Sequence, residues 1–177
     1  MADDAGLATR QQLEEKLAEF FAAGPRGAVR VLDVACGAGP ATRVLAGSLA
    51  AHHPAARRIS VDIDPAKLAE AQAGAGGGEQ GAWVCADLFA LPLPHESVDY
   101  VVAFNIFHGI DRRRFGVEMH RVLRPGGRAL LYDRVPRLLP FSRFALILGR
   151  DYLAALGRLP ARTEAAEDAH PGLPHSR

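Results

Sequence analysis

Short β-branched runs alternate with stretches of helical period through most of this chain, and that alternation leaves few architectures open. Leu13, Leu17, Phe20 and Phe21 recur at helical spacing and predict a helix over 9–23. Val29, Val31, Leu32 and Val34 read as a buried strand. A glycine-rich turn follows, then a helix over 42–51 with Val44, Leu45 and Leu49 inward. Ile59, Val61 and Ile63 form a second strand, and Pro65 suits the first position of a helix over 65–73. Strands are expected at 83–86 and 98–104, and Asp111 is placed to cap a helix reaching Arg124. Pro125-Gly126-Gly127 stops that helix before a fifth strand at 128–133. Phe144, Ile147, Leu148, Tyr152, Leu156 and Leu159 lie near helical spacing and predict a last helix over 141–159. The order predicts an α/β fold: a doubly wound, mostly parallel sheet of about five strands with helices on both faces.

The rest of the composition bounds the function. Apolar residues make up 49% of the 177, enough for one real core. No apolar run approaches the ~20 residues of a bilayer span, and the first residues lack a basic start and apolar stretch, so no membrane partner is expected. Cys36 and Cys85 have no metal-site spacing and are too few for a disulfide framework. Free thiols and a cytoplasmic location are the expectation. The net charge of +1 gives no global field to draw nucleic acid. Eleven arginines against three acids between Arg112 and Arg158 could form a face for an acidic partner. Solvated helix faces are the plainer account, and no aromatic residues are interleaved for base stacking. The polar segment 160–177, with two further prolines, reads as a disordered tail.

In a parallel sheet, ligands bind beyond the carboxyl ends of the strands, so the residues there carry the functional information. After the first strand stands Asp33-Val34-Ala35-Cys36-Gly37-Ala38-Gly39-Pro40. Its small residues let backbone approach a ligand closely, and the following helix offers free N–H groups. The Gly-x-Gly-x-x-Gly of a dinucleotide site is absent. After the second strand, Asp62 could accept from the hydroxyls of a ribose; an ordinary loop or cap role is as plausible for it taken singly. After the third, Asp87 could accept from an adenine amino group. After the fourth come Asn105 and His108, the latter a candidate base, although a lone histidine on a helix or loop is more often structural or solvated. Asp33, Asp62 and Asp87 at three successive strand ends would converge on one edge of the sheet.

These stretches, together with Ser97-Val98-Asp99-Tyr100-Val101-Val102 and Arg121-Val122-Leu123-Arg124-Pro125-Gly126-Gly127-Arg128, come in the order of the class I S-adenosylmethionine-dependent methyltransferases. The chain resembles that family over about residues 29–134, especially its ubiquinone and menaquinone methylation branch. The resemblance implies a Rossmann-like domain over 29–159 behind an N-terminal helical cap at 1–28. It implies S-adenosylmethionine as cofactor, with Asp33, Ala35, Cys36, Gly37 and Gly39 at its methionine end. Asp62 would hold the ribose, Ile63 would lie against adenine, Asp87 and Leu88 would meet the adenine edge, and Asn105 would sit near the sulfonium. The implied reaction is methyl transfer to a small-molecule N, O or C nucleophile by in-line displacement, with His108 as the base if one is needed and no metal.

The family's last two strands are expected to be missing here, because the stretch after Asp133 reads as one helix and a polar tail. The fifth strand would then be an open edge, covered either by the helix 141–159 itself or by dimerisation, and a homodimer through 141–159 is the expectation. The shortened end also keeps open a non-catalytic reading, in which the chain binds S-adenosylmethionine as a degenerate or partner subunit. A nucleotide-dependent oxidoreductase is disfavoured by the missing third glycine.

Overall fold

The computed structural model describes residues 2–75, 81–107, 109–134 and 143–157. In chain order the elements are α1 (Ala2–Ala22), β1 (Arg30–Val34), α2 (Pro40–His52), β2 (Arg57–Asp62), α3 (Pro65–Ala73), β3 (Gly81–Cys85), β4 (Val98–Phe104), α4 (Arg112–Val122), β5 (Leu123–Arg134), β6 (Arg143–Gly149) and α5 (Arg150–Gly157). The strands form one sheet in the order β3-β2-β1-β4-β5-β6. The first five are mutually parallel, and β6 runs antiparallel to β5. The strand order reverses between β1 and β4, which opens a crevice at their carboxyl ends.

The central strands are buried on both faces, and neighbouring residues of one strand serve opposite layers. Val31, Tyr100, Val102 and Leu130 pack with Leu17 and Phe20 of α1 and Leu45 of α2. Leu32, Val101 and Leu131 pack on the other face with Phe115 and Met119 of α4 and Leu153 of α5. The N-terminal helix is thus a layer of the core, and it begins at Ala2, earlier than the expected 9. Tyr100 fastens its exit, its hydroxyl donating to the Pro25 carbonyl at 2.6 Å.

The C-terminal part departs from expectation. The helix predicted over 141–159 is instead β6 followed by α5, so the sheet has six strands. Apolar residues at 144, 147 and 148 suit a helical face, but a short apolar run suits a strand equally, and periodicity alone cannot separate them. The unpaired edge of β5 decides it. Pairing from Arg128↔Gly149 to Leu131↔Leu146 satisfies the backbone groups that edge would expose. It also sends Leu148, only 4% exposed, to the α4 face and Ile147 to the α1 face. β5 is therefore not the open edge on which the homodimer through 141–159 was argued; β6 is the outer strand on this side of the sheet. The segment 160–177 lies outside the described residues.

Candidate active site at the carboxyl edge

The turn after β1 is shaped by three residues with positive φ: Ala35 at 52°, Gly37 at 56° and Gly39 at 84°. Left-handed residues alternating with ordinary ones curl the backbone so that successive N–H groups face one concavity. Gly39 is the N-cap of α2 and supplies no side-chain cap, and Pro40 opens the helix. The first N–H groups of α2 therefore remain available to a ligand at the positive end of the helix. A Cβ built on Gly37 meets nothing within 4 Å, so space lies directly above the turn. Gly39 faces α3 instead, its Cβ position 3.0 Å from that of Ala71.

Asp62 ends β2 and ties the turn down. Its Oδ2 accepts the Gly37 N–H at 2.7 Å, and its Oδ1 accepts the Asp64 N–H at 3.0 Å. Each oxygen keeps a further lone pair. The Cys36 N–H donates to the Val61 carbonyl at 3.0 Å, and the Ala86 N–H to the Asp62 carbonyl at 3.0 Å, which sets the ends of β1, β2 and β3 side by side.

A cleft of about 790 Å³ opens over this edge. Its floor includes Ala35, Cys36, Gly37, Ala38 and Asn105; α1 contributes Arg10 and Leu13, and α2 contributes Ala41 and Arg43. Asn105 has φ 57°, a conformation asparagine tolerates, and its N–H donates to the Tyr132 carbonyl at 2.9 Å. Beside the cleft lies a second group. Ile63 is 69% exposed, an apolar surface standing free next to Asp62. Asp87 accepts the Phe89 N–H at 2.8 Å through Oδ1, and half-buried Leu88 packs on the core below.

Asp33 does not line the cleft. It is fully buried beneath the turn, where Oδ2 accepts from Thr42 Oγ1 at 2.7 Å and Ser60 Oγ at 3.1 Å. Among the described residues its Oδ1 has no partner. Burial pushes its carboxyl up to about 6, against the pull of Thr42, Arg58 and Ser60. Burial, reinforced by the charges of Asp33 and Asp62, pushes the Cys36 thiol up to about 12, so it is no nucleophile at neutral pH. His108 lies outside the described residues.

Of the candidates named from sequence, the structure gathers Ala35, Cys36, Gly37 and Asn105 around the cleft, with Asp62, Ile63, Asp87 and Leu88 adjacent and Asp33 below. Arg10, Leu13, Arg43 and Tyr132 were missed. Tyr132 stands near the end of β5 and was open to the same strand-end rule as the others. The rest come from helix faces with no motif to mark them.

A methyltransferase domain model matches residues 32–131. The chain belongs to that methyltransferase family. It is 27% identical to malonyl-acyl-carrier-protein O-methyltransferase of Herminiimonas arsenicoxydans over 187 aligned positions, covering 96% of this chain and 68% of the relative. It is 34% identical to the ubiquinone/menaquinone biosynthesis C-methyltransferase of Paracoccus denitrificans, covering 62% of this chain and 44% of the relative. The fold is that of the S-adenosylmethionine-dependent methyltransferase from Aquifex aeolicus, with TM-score 0.61, 22% identity, and 72% and 66% of the two chains covered. The chain spans about half the length of most curated relatives it matches, such as 44% and 45% of two quinone-pathway enzymes.

Membership of this family implies S-adenosylmethionine as cofactor, and the residues present fit it. The open space over Gly37, the free acceptor capacity of Asp62, the exposed face of Ile63 and the cleft beneath α1 form a polar and apolar series along one edge. No described helix is long and apolar enough to cross a membrane.

Proposed function

We propose that this chain transfers a methyl group to a small-molecule N, O or C nucleophile. When bound, S-adenosylmethionine supplies an activated sulfonium methyl open to in-line displacement. The protein's part is to bind, orient and exclude water. Asp62 holds the ribose hydroxyls with the lone pairs left by Gly37 and Asp64. Ile63 offers its exposed side chain to the adenine face, and Asp87 and Leu88 meet the adenine edge. Ala35 to Gly39 receive the methionine end, and Asn105 orients groups near the reacting centre. The cleft of about 790 Å³ is within the usual range for small-ligand sites, which supports a small acceptor. His108, which follows β4 in the sequence, is proposed as the base where the acceptor needs one.

The observation that carries the reading is the Asp62 carboxylate bound to the Gly37 N–H at 2.7 Å with acceptor capacity to spare, beside the exposed Ile63. Calorimetric titration with S-adenosylhomocysteine tests it. Micromolar binding that weakens by about 1–3 kcal/mol in Asp62→Ala is expected. A folded protein that takes up no S-adenosylhomocysteine would overturn it. Replacing His108 by Ala should lower turnover and leave cofactor affinity unchanged; equal turnover removes it from the mechanism.

A further inference from the structure

One line of buried polar side chains runs under the cofactor turn and is not explained by cofactor contact. Arg58 on β2 is only 3% exposed. Its guanidinium stacks over the Trp83 ring of β3, 4.5 Å from the centroid. It donates through Nη1 to Ser60 Oγ. Ser60 donates to Asp33 Oδ2 at 3.1 Å, and the same oxygen receives Thr42 Oγ1 at 2.7 Å. Asp33 and Ser60 face each other across the β1–β2 pair, and Arg58 lies two residues before Ser60 on the same side. Gly81 makes the arrangement possible, since a Cβ there would lie 2.8 Å from Arg58 Nη2. The line thus runs from β3 through β2 and β1 to the first turn of α2.

A guanidinium withdrawn from water is costly unless it serves partners. Here it offsets a second cost, that of a buried carboxylate. Asp33 meets Thr42 from α2, Ser60, Arg58 and Asp62 from β2, Cys36 from the turn, and apolar Val102 from β4. Of these Arg58 is the cation, and Asp62 opposes it. An ionised Asp33 makes charge-assisted bonds to both hydroxyls, while a protonated one holds Thr42 less firmly. Thr42 anchors the start of α2, and the turn that carries Gly37 leads straight into it.

We infer that Arg58 is a positioning residue for the cofactor turn: through Ser60 it keeps the buried Asp33 carboxylate ionised, and Asp33 in turn clamps Thr42 and the start of α2. The inference rests on the reading of residues 35–39 and Asp62 as the cofactor site. It adds a residue on the far side of β2 that touches no ligand.

The test is S-adenosylhomocysteine affinity as a function of pH for the wild type, Arg58→Met, Arg58→Lys and Asp62→Ala, with thermal melts alongside. In Arg58→Met, affinity at neutral pH should fall roughly tenfold, and binding should be lost on acidification about one pH unit earlier than in the wild type. Arg58→Lys should restore most of both, because it returns the charge. Ser60→Ala breaks the relay while leaving the guanidinium on Trp83, and it should shift the acid limb in the same direction if Arg58→Met does not fold. Superimposable acid limbs in wild type and Ser60→Ala, with affinity still sensitive to Asp62→Ala, would overturn the inference and leave the cofactor site standing. Failure of the wild type to bind S-adenosylhomocysteine would overturn both.

Discussion

The Asp62 carboxylate reaches back 25 residues to accept the Gly37 N–H at 2.7 Å, so the residue proposed to bind the ribose also fixes the turn proposed to bind the methionine end. One group then has two effects that can be separated. Asp62→Asn keeps the size but puts an NH₂ where one of two N–H groups needs an acceptor. It should destabilise the cofactor-free protein by about 1–2 kcal/mol, and Asp62→Ala by a similar amount. Both should weaken S-adenosylhomocysteine binding beyond that. Melting curves with and without ligand check the pair. If Asp62→Asn bound as tightly as wild type, the ionised acceptor would have no role in binding.

Gly37→Ala separates folding from binding in the opposite way. The position has φ 56°, and an added Cβ meets nothing within 4 Å. The folded protein should lose only about 1–2 kcal/mol, the cost of a left-handed alanine. Ala35 already bears that conformation next door, at φ 52°. The methyl would project into the space over the turn, so ligand affinity should fall more than stability does. Calorimetry and thermal unfolding on one sample give the comparison. A variant that binds normally would place the ligand elsewhere.

Asp33 makes a prediction of opposite sign for stability. Its carboxyl lies near 6 when folded against 3.8 for the free group, with burial the main cause. A folded value above the unfolded one means the native state takes up a proton between those limits. The stability this contributes is fully present below the unfolded value and is lost as pH rises through the folded one. At neutral pH the buried charge is therefore a cost. Asp33→Asn should raise stability there by about 1–2 kcal/mol and flatten the pH dependence between the two values. It should also weaken S-adenosylhomocysteine binding, a trade of activity against stability common at functional sites. Loss of stability at neutral pH would show that the hydrogen bonds from Thr42 and Ser60 outweigh the burial cost.

The parallel part of the fold was legible because its signals are local. Val98 to Phe104 is a strand with the expected ends, and Asp111 caps α4 by accepting from Arg113 and Arg114. The strand-end rule likewise put Asp62, Asp87 and Asn105 on one edge. What was not legible depends on partners distant in sequence. Phe144 to Leu148 carries no mark of its own to separate strand from helix; the free edge of β5 decides it. Asp33 was placed against the ligand because it precedes the turn, but it sits on the strand face that α2 covers, and only the packing of Thr42 over it reveals a support. Arg58 stands just ahead of the Ile59, Val61, Ile63 alternation with nothing in the sequence to mark it as buried, since a buried cation is recognised by its partners and not by its neighbours in sequence.

Glu118 offers a structural control at a distance from the cleft. It is 7% exposed on α4, and its Oε1 accepts the Leu91 N–H at 2.7 Å. Arg121 pairs with both of its oxygens and also donates to the Leu93 and Leu91 carbonyls at 2.7 and 3.0 Å. The pair therefore pins the segment between β3 and β4 to α4. Burial pushes the Glu118 carboxyl up, but the hydrogen bond from Arg121, the Leu91 N–H and the Arg121 charge outweigh it and hold the group below its usual range. A folded value below the unfolded one contributes stability that is present at neutral pH and lost as pH falls through the folded value. This is the reverse of Asp33. Glu118→Gln should cost about 1.5–3 kcal/mol at neutral pH, the range for hydrogen bonds to a charged group. The deficit should shrink on acidification, as the wild type loses the same interaction. S-adenosylhomocysteine affinity, measured well below the melting temperature, should stay within about twofold of wild type. Denaturant titrations at neutral and acid pH test the first claim and calorimetry the second. A Glu118→Gln protein with wild-type stability would mean that Arg121 alone secures the segment through its two carbonyl bonds.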